Sequence, residues 1–61
     1  DRSFEKMDTD YGMITMKIGR KNNEIMSVSP EIEECKVLAE KNKVSVEKVY
    51  RAALSAWENK E

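Results

Sequence analysis

Glu31 and Glu34 lie three residues apart in the stretch Ser29-Pro30-Glu31-Ile32-Glu33-Glu34-Cys35. On a helix that spacing makes them neighbours on one face. Two neighbouring carboxylates can share a hard divalent ion, with waters and substrate phosphates completing its shell. An acidic first turn also complements the positive end of a helix dipole, and the residues alone favour that plainer use. A second set is basic. Lys17 stands on an alternating run, and Arg20 and Lys21 follow in the turn after it. Together they can meet phosphates through charge-assisted hydrogen bonds. They equally suit a solvated, charged edge that discourages strand-to-strand association, and without further context that reading is preferred.

Other chemistry is largely excluded. The chain has no histidine, so the commonest general base is missing. Ser27, Ser29, Ser45 and Ser55 have no evident base to activate them. Cys35 is the single cysteine and falls on an apolar helix stripe, where a thiol packs as a small inert hydrophobe. One thiol without histidine cannot build a structural zinc site. A self-contained enzyme is not expected. Two short helices joined by a tight turn invite comparison with a helix-turn-helix. The second offers Lys48 and Arg51 but also Glu47, and Tyr50 and Trp57 are committed to packing. The net charge of −1 also argues against nucleic acid as a partner. No apolar run approaches spanning length, so no membrane partner is expected. An unpaired cysteine favours a reducing, cytoplasmic setting.

These residues need elements to hold them. Residues 2–7 read as a weak edge strand, and Asp8-Thr9-Asp10-Tyr11-Gly12 is turn chemistry. Residues 13–18 are the clearest strand: Ile14, Met16 and Ile18 share one face, Met13, Thr15 and Lys17 the other. Asn22-Asn23 suits a turn of positive φ. Residues 24–28 read as a third strand, Met26 and Val28 on one face, Ile25 and Ser27 on the other. Pro30 suits the first position of a helix, with Ser29 as its N-cap. That helix runs from Pro30 to about Asn42 with Ile32, Cys35, Leu38 and Ala39 as its apolar stripe. No glycine ends it, so Asn42 or Lys43 must adopt the left-handed conformation. Ser45 caps a second helix whose stripe is Val46, Val49, Tyr50, Ala53 and Trp57, and the charged tail beyond Trp57 frays. The expected fold is α+β: a three-stranded antiparallel meander over residues 2–28, then a helix pair over 30–58 packed on one face of it.

At 61 residues this is a single small domain. A chain of this size hides only about 60% of its unfolded surface. Ordering it costs roughly 1.5 kcal/mol per residue, which core burial barely offsets. Support is therefore expected from oligomerisation or from a further domain. A start at Asp1-Arg2-Ser3 fits a piece of something longer.

The order of features resembles a known family. Tyr11-Gly12 leads to Ile14-Thr15-Met16-Lys17-Ile18, then to Ser29-Pro30-Glu31-Ile32-Glu33-Glu34-Cys35. Leu38-Ala39 and Val44-Ser45-Val46-Glu47-Lys48-Val49-Tyr50-Arg51-Ala52-Ala53 follow. Over nearly its whole length the chain is similar to the extreme C-terminal segment of the LarC nickel-insertion family. Its most specific match is the Pro-Glu-x-Glu-[Asp/Glu]-Cys block. The chain departs from the family pattern at Ile32, usually tyrosine, at Lys43, usually glycine, and at Ser45, usually proline. The resemblance implies a parent protein that uses CTP to insert nickel into a pyridinium bisthiocarboxylate mononucleotide, the nickel-pincer cofactor of lactate racemase. It implies that the C-terminal region binds CTP with a divalent metal, manganese or magnesium, and is a homo-oligomer that also contacts the rest of the parent protein. Nickel itself would be held elsewhere. On this reading Lys17 and Arg20 are the nucleotide-binding candidates, and Glu31 and Glu34 the metal-side ones. The competing expectation is a structural or oligomerising module with no ligand of its own.

Overall fold

A computed structural model describes residues 1–60. It contains β1 (Arg2–Thr9), β2 (Gly12–Lys21), β3 (Glu24–Pro30), α1 (Ile32–Asn42) and α2 (Val46–Glu58). The strands form one antiparallel sheet in the order β1-β2-β3. Both helices cover one face of it, as the α+β reading expects. Ile14, Met16 and Ile18 of β2 are buried there, with Cys35 and Ala39 of α1 and Val49 and Ala53 of α2. Period-two alternation sends Met13, Thr15, Lys17 and Gly19 to the face that carries no helix.

The turns follow from local chemistry. Thr9 and Gly12 pair across a two-residue turn, in which the Thr9 hydroxyl donates to the Gly12 carbonyl at 2.7 Å and accepts from the Tyr11 N–H at 3.1 Å. Asn22 and Asn23, at φ 54° and 68°, form the second hairpin turn between Lys21 and Glu24. Gly19 pairs with Ser27 but Arg20 with Ile25, so Met26 is a bulged extra residue. The bulge corrects one expectation: Ile25 does not share a face with Ser27.

The strand-to-helix junction also differs from expectation. Ser29 and Pro30 belong to β3, paired with Lys17 and Met16, and Glu31 is the N-cap of α1 without a side-chain cap bond. A residue before proline is biased towards extended backbone, which keeps Ser29 in the strand. Pro30 lies on an edge strand, where a missing N–H breaks no ladder bond. Glu31 stays extended (φ −69°, ψ 118°), and its N–H reaches the Thr15 carbonyl at 2.9 Å before the chain turns into the helix. The helix therefore starts two residues late, and Ile32 is 44% exposed instead of joining the buried stripe.

Other ends are as read. Lys43 takes the left-handed conformation (φ 60°, ψ 41°), and the Ser45 hydroxyl accepts from the Lys48 N–H at 3.1 Å. The tail does not simply fray: Lys60 lies 3.7 Å from the Trp57 ring centroid, and its Nζ pairs with Glu5 Oε2 at 2.8 Å. Glu61 lies outside the described residues.

Lys43 carries a Cβ in a conformation that costs an L-residue roughly 1–2 kcal/mol. Replacing it with glycine is expected to raise stability by up to about 1 kcal/mol, glycine's greater freedom in the unfolded chain offsetting part of the relief. A denaturant titration of K43G with an unchanged or lower midpoint contradicts this.

Candidate functional site

The site is built around Thr15. β3 pairs with β2 only as far as Pro30 opposite Met16. Beyond that point the main-chain groups of Thr15 on that side need other partners. Its carbonyl accepts from the Glu31 N–H. Its N–H donates to Glu34 Oε1 at 2.7 Å, and its hydroxyl donates to Glu34 Oε2 at 3.0 Å. One carboxylate thus stands in for the missing strand and ties the first turn of α1 to the middle of β2. Hydrogen bonds to a charged acceptor are among the stronger ones in proteins, worth about 1.5–3 kcal/mol each.

The expected site residues are only partly brought together. Lys17 lies two positions along β2 from Thr15, on the same helix-free face, opposite Phe4 of β1 and Ser29 of β3. Glu34 meets β2 at Thr15 through its carboxylate and Glu31 through its backbone N–H, so the Glu34 carboxylate and Lys17 serve positions two apart on one strand. Arg20 does not join them. Three positions along a strand reverse the side, and Arg20 falls on the side of Ile18. Glu31 is extended, so the helical spacing that would align it with Glu34 does not apply to it. Among the described residues the Glu31 carboxylate makes no hydrogen bond or ion pair, whereas both Glu34 oxygens are engaged. No cluster of three or more metal-capable side chains occurs among them.

Two residues missed at the sequence level matter here. Thr15 looked like a neutral strand residue, and only the early end of β3 gives it a role. Arg2 looked like the start of a weak edge, yet its pairing with Gly19 puts it beside Lys17. Those three residues, with Asp1 and Ser27, line a polar groove of about 570 Å³ on the helix-free face. A smaller, apolar groove of about 310 Å³ runs along Met13, Val37 and Leu38 between Glu33 and Glu34. Cys35 is buried under α1, and its thiol is pushed above its ordinary pKa, first by burial and then by the nearby Glu34 charge.

A family model described as nickel insertion protein matches residues 1–50. The chain belongs to the nickel insertion protein family. A pyridinium-3,5-bisthiocarboxylic acid mononucleotide nickel insertion protein of Clostridium acetobutylicum is 43% identical over 51 residues, which cover 84% of this chain and 12% of that protein. A protein of the same name from Thermotoga sp. (strain RQ2) is 39% identical over 84% of this chain and 13% of its own length. The chain spans only 12–15% of the length of such curated relatives. Among solved structures, the apo C-terminal domain of a cyclometallase involved in the synthesis of the NPN cofactor of lactate racemase matches with a TM-score of 0.88. That match has 29% identity and covers 97% of this chain and 40% of the domain. A match to a C-terminal domain agrees with the LarC resemblance read from the sequence. No helix among the described residues is long and apolar enough to cross a membrane.

The buried thiol has a consequence for pH. A raised folded-state pKa means the folded protein keeps a proton that the unfolded chain releases. Stability is then fully present below the unfolded thiol pKa and declines as pH rises through and above it. C35A should abolish the part of the alkaline decline that this thiol causes, read from denaturant midpoints across the alkaline range. A Cys35 thiol that reacts with a disulfide reagent as fast in the native protein as in denaturant would contradict its burial.

Proposed function

We propose that this chain is a nucleotide-binding and assembly module of a CTP-dependent nickel insertion protein, which loads nickel into a pyridinium bisthiocarboxylate mononucleotide. The observation that carries this reading is that Glu34 docks its carboxylate, and Glu31 its backbone N–H, at Thr15, two positions along β2 from Lys17, in a chain of this family. Lys17 supplies a positive charge with no ion-pair partner among the described residues, suited to a phosphate. Arg20, on the other side of the strand, could reach the same ligand only around the end of the sheet.

The donor set suits a divalent ion that travels with the nucleotide, not a resident one. Magnesium- and manganese-like ions bind through one or two carboxylates plus substrate phosphates. Glu31 is the free carboxylate here, while Glu34 fixes the backbone from which Glu31 projects. Such an ion would neutralise phosphate charge. Nickel is cargo, and with one buried thiol and no histidine these residues are not its site.

A second reading has its own support. Phe4, Met13, Met26 and Val37 are each more than half exposed on a chain with a small core. That surface suits a module that assembles with copies of itself or with the rest of its protein.

Calorimetric titration of the full-length protein with CTP and manganese tests the nucleotide reading. K17Q is expected to weaken binding by about tenfold or more, the scale of a lost charged hydrogen bond. E31Q should reduce affinity only when the metal is present. Wild-type affinity in both variants contradicts the proposal and leaves the assembly reading.

A further inference from the structure

β2 loses its β3 neighbour before it ends, and Met13 lies in the vacated lane. Residues along an antiparallel strand direct their N–H and C=O groups to one neighbour and the other alternately. Two sets of bonds fix that parity in β2. The Arg20 N–H donates to the Asp1 carbonyl at 2.9 Å, on the β1 side. The Thr15 carbonyl and N–H engage Glu31 and Glu34 on the β3 side. Met13, two positions before Thr15, therefore turns its own N–H and C=O to the β3 side. There the ladder has already ended, at Pro30 opposite Met16. Outside the strand ladders, no hydrogen bond among the described residues reaches Met13.

α1 runs beside this lane, and its row Glu34, Leu38 and Asn42 explains the gap. Four helical residues rise about 6 Å, and two strand residues advance about 6.8 Å. Successive helix turns therefore meet successive outward-directed residues of β2. Glu34 accepts from the Thr15 N–H at 2.7 Å, and Asn42 Nδ2 donates to the Tyr11 carbonyl at 3.2 Å. Leu38 falls between them, against Gly12, and its alkyl side chain has no bond to offer Met13. The lane opens instead as the groove of about 310 Å³ lined by Met13, Val37, Leu38, Glu33 and Glu34, with no cation among them. Met13 and Val37 are each more than half exposed there.

We infer that this lane takes an extended segment of a partner protein, which adds a short strand beside Met13. The segment's main chain exchanges hydrogen bonds with the Met13 N–H and C=O. One apolar side chain fills the groove beside Met13 and Val37, and a flanking lysine or arginine meets Glu33, whose bond to Lys36 is solvent-exposed. Main-chain bonds give such strand addition its affinity, and the side-chain pocket gives it specificity. Charge selects the partner further: the charged groups lining the groove are both carboxylates, so they repel an acidic segment. Tyr11 and Thr15 are already engaged on either side, so only one residue of the segment pairs in full. This partner is distinct from the nucleotide proposed above, and neither depends on the other.

The test titrates the full-length protein into a fluorescein-labelled peptide, acetyl-Lys-Thr-Leu-Thr-Lys, and follows anisotropy. Saturable binding below about 1 mM is expected, the weak end of specific association. The same peptide N-methylated at its leucine, which removes one main-chain donor, should bind about tenfold more weakly. V37K, which places a cation in the groove, should also weaken binding about tenfold, and K48Q on α2 should not change it. Val37 is exposed, so V37K is expected to fold, and its thermal unfolding checks that. In the free protein the Met13 amide should exchange rapidly with solvent, and the peptide should protect it. Absence of saturable binding, or equal binding of the N-methylated peptide or by V37K, overturns the inference. So does a Met13 amide already protected without peptide, which shows the lane filled from within the protein. An oligomer that V37K disperses, with the peptide bound by neither form, makes the groove an interface between copies and overturns it too.

Discussion

The contact between Thr15 and Glu34 is the constraint on which the arrangement depends. β2 is ten residues long and β3 covers only part of it. An unpaired backbone amide inside a sheet is costly unless something replaces the lost strand. A carboxylate from the first turn of α1 does so with both oxygens. The same contact fixes where α1 begins, how it leans on the sheet and which side of β2 the glutamates approach. Cys35 and Ala39 of the docked helix share one buried cluster with Ile14 and Met16.

β2 serves two purposes at once because its side chains alternate. Ile14, Met16 and Ile18 build the core with the helices, while Thr15, Lys17 and Gly19 look away from it. A single strand therefore serves both the core and the open face. Substitutions at Ile14, Met16 and Ile18 act through packing, whereas Lys17 offers its side chain to the open face. The bulge at Met26 lies between the Gly19–Ser27 and Arg20–Ile25 pairs, towards the Asn22-Asn23 turn, and a bulge increases local twist.

Much of this was legible in the sequence. The alternation of Ile14, Met16 and Ile18 and the stripe of Val46, Val49 and Ala53 are strong periodic signals with one reading each. The Asn22-Asn23 turn, the Ser45 cap and the left-handed Lys43 followed from local chemistry. The junction at Pro30 did not. Proline suits both a first helical turn and the outer side of an edge strand, and only the long-range bond from Glu31 to Thr15 decides between them. The site was half visible for the same reason. Lys17 and Glu34 stood out by type, but Arg2 and Thr15 gain meaning only through cross-strand register, which no local pattern carries. Arg20 was grouped with Lys17 by proximity in sequence, and strand alternation separates them. Family membership, in turn, was legible from the Pro-Glu-x-Glu block and agrees with the matched relatives.

The most direct measurement of the central contact is amide hydrogen exchange at Thr15 in the native protein, with and without Glu34. Protection of that N–H in the wild type, lost by about tenfold or more in E34A while Met16 stays protected, is the expected result, on the scale of one charged hydrogen bond. A Thr15 amide that exchanges freely in the wild type, or equally slowly in both proteins, would contradict the claim that this carboxylate replaces the missing strand.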